Sequence, residues 1–145
     1  MLVTFCGHGQ VPSSDREFVT AALEKELSAL IEEGADEFYL GGYGEFDSLA
    51  ATAVLNAKQL HPHIVSTLVI PYMDRDYDKR RYDGSVYPPI EHVPRRFAIS
   101  KRNEWMIEQA DVVITYITHG WGGAATTAAY AKRKNKRIIS VAPEK

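Results

Sequence analysis

A chain of 145 residues is the usual size of one domain and can bury a real core, so residues 1–145 read as a single unit. The formal net charge of −2 argues against a nucleic-acid polymer as the partner, since domains that grip polyanions usually carry a basic surplus. No apolar run approaches the roughly 20 residues needed to span a bilayer. The single cysteine, Cys6, rules out an intramolecular disulfide framework and fits a reducing cytoplasm.

Met1 to Cys6 lacks the basic start and long apolar core of a signal peptide and reads as a first strand over 2–6, ending at Gly7-His8-Gly9. Ser14 followed by Glu17 fits a capping box, and Val19, Leu23, Leu27, Leu30 and Ile31 mark one apolar face of a helix closed by Gly34. Residues 37–40 form a second strand running into Gly41-Gly42-Tyr43-Gly44-Glu45-Phe46-Asp47 and an alanine-rich helix with Ala50, Ala53, Val54 and Ala57 on one side. Ile64 to Ile70 is a third strand, closed by Pro71. From there to Phe97 no period stands out, a gap long enough to read as a functional loop or lid. It carries Tyr72, Tyr77, Tyr82 and Tyr87 with Arg75, Lys79, Arg80, Arg81, Arg95 and Arg96. A short helix over 100–109, a strand over 111–117, a helix over 124–134 and a strand over 137–141 complete the chain.

Strands that alternate with helices and are apolar throughout predict an α/β fold, a doubly wound parallel sheet of about five strands in the order 3-2-1-4-5. That order makes the first and fourth strands neighbours at the switch point, where open sheets bind ligands. Gly7-His8-Gly9, Gly41 to Asp47 and His119-Gly120-Trp121-Gly122-Gly123-Ala124 would then line one crevice.

Each of the last two loops follows a strand and starts a helix, the grammar of an anion cradle: glycines admit close approach, and first-turn N–H groups face negative charge. Gly42, Gly44, Gly122, Gly123 and Arg102 are expected to hold phosphate, with Asp47 on a ribose and Trp121 or Tyr43 stacked on a base. Gly-x-Gly-x-x-Gly is absent after strand one, which disfavours a nicotinamide cofactor, and no cofactor is assigned. His8 and His119 face the crevice, yet no third ligand for a metal is evident.

Ser100 to Met106, Ala110 to Ile114 and the second glycine loop together resemble the SLOG superfamily, which joins the Smf/DprA DNA-processing proteins to the LOG phosphoribohydrolases. Thr4-Phe5-Cys6-Gly7-His8 and Gly41 to Asp47 resemble its small YpsA-like branch. The resemblance implies a three-layer Rossmann-like fold, frequent homo-oligomers and, in some members, nucleotide or ADP-ribose-like ligands. It adds Asn103 and Thr126 to the candidate site, along with Gly41, Phe46 and Gly120. The LOG pattern is Arg-Lys-x-x-Met followed by Pro-Gly-Gly-x-Gly-Thr-x-x-Glu. Arg102 and Met106 fit its first half, with Asn103 in place of lysine. In the second half Thr118, His119 and Gly123 depart from it, and Thr126 stands where the catalytic glutamate belongs. Glu45, Asp47 and Arg102 are the remaining candidates for catalysis. The expected function is therefore binding of a nucleotide-derived small molecule. The alternatives are a phosphoribohydrolase acting on nucleoside monophosphates and a single-stranded DNA binder.

Overall fold

The computed structural model describes residues 1–144 as three layers around a six-stranded, wholly parallel sheet. The elements are β1 (Leu2–Gly7), α1 (Ser13–Glu32), β2 (Glu37–Leu40), α2 (Glu45–Leu60), β3 (Val65–Val69), β4 (Gly84–Val86), a 3₁₀ turn (Arg95–Phe97), α3 (Ala98–Gln109), β5 (Val112–Tyr116), α4 (Gly123–Arg133) and β6 (Arg137–Ser140). The strand order is β4-β3-β2-β1-β5-β6. The five expected strands keep their expected order, and a sixth is added outside β3.

That sixth strand corrects the reading of 71–97 as loop throughout. β4 is three residues long, too short for a two-residue period to show, and its placement comes from outside it. The Asp83 carboxylate accepts the Ser66 N–H at 2.8 Å and pairs with Lys58 of α2, which docks the segment against β3. The arginines of the segment find partners within the protein. The Arg75 and Arg95 guanidinium groups flank the Tyr72 ring at 4.2 and 4.5 Å, and Arg81 reaches the Ser48 carbonyl at 2.8 Å.

The two faces of β1 set the layers. Val3 and Phe5 join Leu23, Leu27, Phe38, Ala50 and Val54 in the core beneath α1 and α2. Cys6 points the other way, among Ile107, Val113 and Ala131 of the α3–α4 layer. All five residues of the apolar face read from α1 are buried. The helix ends as expected: Gly34 takes φ +112°, and the Ala35 N–H returns to the Leu30 carbonyl at 2.9 Å. Its start differs from expectation. Pro12 is the N-cap and no side chain caps the helix, so the Ser14–Glu17 capping box does not form. Helix begins at Ser13, which puts Ser14 inside the first turn rather than ahead of it.

All strands run parallel, so their C-terminal ends lie on one side, where β1 and β5 part to α1 and α4. Phe46, placed in the site by sequence, is 0% exposed and belongs to the core beneath β1. A Cβ on Gly7 would lie 2.2 Å from the Phe46 ring. Gly7→Ala should therefore lower stability by about 1–3 kcal/mol through overpacking, read as a fall in the urea midpoint at unchanged slope.

Candidate functional site

A cleft of about 590 Å³ opens at the C-terminal ends of β1 and β5, within the range of small-molecule sites. Gly7 and His8 after β1, Tyr43 and Asp47 from the β2–α2 turn, Arg102 and Asn103 of α3, and His119, Trp121, Gly122, Gly123 and Ala124 before and within α4 all line it. Gly41, Gly42, Gly44, Glu45, Phe46, Gly120 and Thr126 are not on its wall, nor is any residue of 71–97. Sequence reading missed Gln10, Pro12, Ile99 and Thr127, which follow from the depth of the cleft rather than from any motif.

The two glycine turns are built alike. Gly44 caps α2 with φ 91° and ψ 172°, and Gly122 caps α4 with φ 91° and ψ 174°. Such a φ suits glycine alone. Superposed on those caps, Tyr43 matches Trp121, Glu45 matches Gly123 and Asp47 matches Ala125. The faint repeat in the sequence is thus a repeat in the cap residue; two residues earlier the turns differ, since Gly42 takes φ 71° and Gly120 has no positive φ. Its two copies differ in charge: α2 carries Glu45 and Asp47 in its first turn, and α4 carries no acid there.

In the first turn the protein supplies its own anion. The Asp47 carboxylate accepts the Tyr43 N–H at 3.2 Å and faces the amides of Gly41 and Gly42. Burial raises its pKa, against the pull of those amides and of Arg102. Arg102 lies behind, 2% exposed, its Nη1 donating to the carbonyls of Gly41 at 2.9 Å and Val69 at 2.8 Å and its Nε to Asn103 at 2.8 Å. Burial lowers the guanidinium pKa while Asp47 holds it up. Arg102 Nη1 and Nε are therefore engaged within the protein, with the Asp47 charge nearby, while the residue still lines the cleft. The β2–α2 amides are already occupied by Asp47. Glu45 is also engaged, paired with Arg16 and accepting the Val11 N–H at 3.3 Å.

The second turn is open. The amides of His119, Gly120 and Trp121 meet no protein acceptor among the described residues. Those of the first turn of α4 have no intrahelical partner by construction. Thr126 and Thr127 turn their hydroxyls back onto the carbonyls of Gly122 and Gly123, at 3.1 and 2.9 Å. Beside this turn three rings form a column. His8 and His119 stack at 3.8 Å with 14° between planes, and His119 and Trp121 at 3.7 Å with 22°. His8 Nε2 accepts the Thr118 N–H at 3.0 Å, which puts the imidazole proton on Nδ1. Burial, then the neighbouring His119, pulls the His8 pKa down. Below the cleft, Cys6 donates its S–H to the Ala124 carbonyl at 3.2 Å, and burial pushes its thiol up to about 12, which makes it an inert packing residue. Among the described residues no three His, Cys, Asp or Glu gather as a metal site would require.

No family model matches the chain. A UPF0398 protein of Halalkalibacterium halodurans is 25% identical over 133 residues, covering 83% of this chain and 70% of its own length. DNA processing protein A from Helicobacter pylori, a single-stranded DNA binder, superposes on 100% of the chain with a TM-score of 0.68 at 18% identity. The chain spans 66% of that protein, just under two thirds. The molybdenum cofactor carrier protein of Chlamydomonas reinhardtii matches 98% of this chain and 77% of its own, with a TM-score of 0.65 at 13% identity.

The resemblance to the SLOG superfamily holds in sequence, through the UPF0398 protein, and in fold, through DNA processing protein A. The similarity to the UPF0398 protein agrees with the YpsA-like resemblance of the opening strand and first glycine loop. Within the SLOG pattern, the place of the LOG glutamate is filled by a threonine whose hydroxyl is bonded to its own helix.

Two outcomes follow for stability. Arg102→Ala, which strips donors from the Gly41 and Val69 carbonyls, and Asp47→Ala, which removes the acceptor of its loop amides, should each cost about 1–3 kcal/mol. The double replacement should cost clearly less than the sum, as a denaturant double-mutant cycle would read. His8, with its native pKa below the ordinary 6.5, binds fewer protons folded than unfolded between those two values. Its contribution is full above 6.5 and is lost as pH falls through the lowered value. The melting-temperature difference between wild type and His8→Gln should therefore shrink as pH falls from 6.5 to that lowered value and stay level below it.

Proposed function

We propose that the protein binds a nucleotide-derived small molecule whose phosphate lies on the open turn at the N-terminus of α4. The observation that carries this reading is the contrast between the two matched turns. One holds a carboxylate of the protein against its amides, and the other, with the same cap conformation, has Ala125 where that carboxylate originates, which supports an anion from outside on the second. Helix polarity agrees: α4 has no acid in its first turn and Lys132 and Arg133 in its last. The cleft volume suits a ligand of nucleotide size.

The phosphoribohydrolase reading finds less support. Cleavage of an N-glycosidic bond needs a carboxylate beside the sugar to stabilise positive charge and handle water. Thr126 offers none, Glu45 lies off the cleft, and Asp47 is committed to the amides of its own loop.

A second reading stays in play. Similarity over the whole chain to a single-stranded DNA binder means that the net charge, a sum over the molecule, does not dispose of a polymer partner. An amide cradle beside an exposed tryptophan also suits one nucleotide of a strand. Salt separates the two readings. A polymer contact releases many counterions and weakens steeply with ionic strength, whereas a one-phosphate ligand responds weakly.

The direct test rebuilds the first turn in the second. Ala125→Asp should place a carboxylate on the α4 cradle and abolish binding of nucleoside monophosphates in a thermal-shift titration. For the wild type, ligand at about 100 times its dissociation constant should add about 2.7 kcal/mol. Ala125→Asn, similar in size and uncharged, should retain most of that gain. Equal binding by wild type and Ala125→Asp would remove the cradle from the site.

A further inference from the structure

Tyr43 and Trp121 occupy matching places in the two turns, line the same cleft and are both largely exposed, at 68% and 71%. Exposure of a single large aromatic is unremarkable by itself. What separates the two is the support beneath them. No aromatic ring lies against Tyr43 among the described residues, whereas Trp121 is the outermost member of the His8–His119–Trp121 column. The base of that column is anchored three ways. The His8 N–H donates to the Tyr116 carbonyl at 3.2 Å, its Nε2 receives the Thr118 N–H at 3.0 Å, and its ring meets the edge of buried Tyr116 at 6.0 Å. His119 is clamped between two rings, its Nδ1 buried with no partner among the described residues. The protein therefore commits two histidines to fixing the tilt of one tryptophan whose outer face is bare.

Resting on the phosphate reading above, we infer that Trp121 is a stacking platform for a planar heteroaromatic ring, and that the ligand carries this ring one sugar away from its phosphate. His8 and His119 are positioning residues for that platform, since they touch Trp121 or its loop and leave the outer face free. A platform held in its bound orientation saves the cost of ordering a tryptophan at the moment of binding. The spacing sets the ligand class. Trp121 and the first helical amide, that of Gly123, are two residues apart, so their Cα atoms lie within about 7 Å. A single pentose fits between a base on the ring and a phosphate on the amides. A longer bridge would have to loop out of the cleft. The moiety so defined is a nucleoside 5′-monophosphate, alone or as the end of a larger molecule.

The test titrates adenosine, ribose 5-phosphate and adenosine 5′-monophosphate into the wild type, Trp121→Ala, His8→Ala and Ala125→Asp. Calorimetry and tryptophan fluorescence are the readouts. Adenosine 5′-monophosphate should bind roughly 5- to 150-fold more tightly than ribose 5-phosphate and quench the fluorescence. Trp121→Ala should erase that preference and leave ribose 5-phosphate unchanged. Trp121→Phe should restore part of it, and His8→Ala should shrink it. A preference that survives Trp121→Ala overturns the platform while leaving the phosphate cradle standing. An affinity for the nucleotide no greater than that for the better of its two fragments overturns the one-sugar spacing. If neither phosphate ester binds but adenosine still quenches Trp121, the phosphate reading fails and the platform survives. Silence toward all three ligands removes both.

Discussion

The Asp47 carboxylate, laid on the amides of its own loop with Arg102 behind it, is the constraint on which this half of the molecule depends. It supplies the acceptor for the amides of the loop ahead of α2, those of Gly41, Gly42 and Tyr43. Through Arg102 it ties three elements together, because the guanidinium reaches from α3 to the carbonyls after β2 and at the end of β3. Neither ion would be stable alone at such depth. Burial works against both charges, and each is kept by the other and by hydrogen bonds to backbone. The glycines serve this arrangement. A Cβ at Gly41 would stand 3.0 Å from the Asp47 oxygen and 3.2 Å from the guanidinium carbon, so only a bare backbone fits between the pair.

A matched turn lacking that internal anion is electrostatically incomplete. The cap residue presents the same φ, ψ and the helix the same sense of dipole, and the first turn of α4 has only small, uncharged side chains at the corresponding places. Water can satisfy such amides at an exposed helix end. Lodging them in a cleft beside a supported aromatic column is an arrangement water does not need. Two copies of one loop have thus been put to opposite uses, one closed to hold the sheet and one left accessible.

Most of the architecture was legible because it rests on local chemistry. Apolar runs of the right length gave five strands, the spacing of Val19, Leu23, Leu27, Leu30 and Ile31 gave the buried face of α1, and Gly34 gave its end. What escaped depends on partners distant in sequence. β4 exists because Asp83 and Ser66 find each other across 17 residues. The five-residue spacing of the tyrosines, which suits neither helix nor strand, becomes intelligible in part: Tyr72 packs between two arginines, and the Tyr82 hydroxyl comes close to Gly42. The sequence showed a cation near two glycine loops, and the family pattern drew it toward a ligand. It could not show that two backbone carbonyls and Asn103 engage part of that guanidinium. In the same way, both glycine loops read as cradles, and only the coordinates show which of them is full.

The difference between binding and cleaving turns on where the carboxylates are. A glycosidase places one beside the anomeric carbon and keeps it free to change its bonding as charge develops. Here the carboxylate on the cleft wall is fixed by amides that favour its charged form, and it cannot leave them without exposing Arg102 to an unpaired burial. The residue in the place of the LOG glutamate has turned its hydroxyl to a helix carbonyl. Rigid donors without a mobile base can hold a ground state well, and they offer little that strengthens only in a transition state. The proposed binding of an intact nucleotide moiety therefore asks of these residues only what they already hold, fixed donors and a supported ring face.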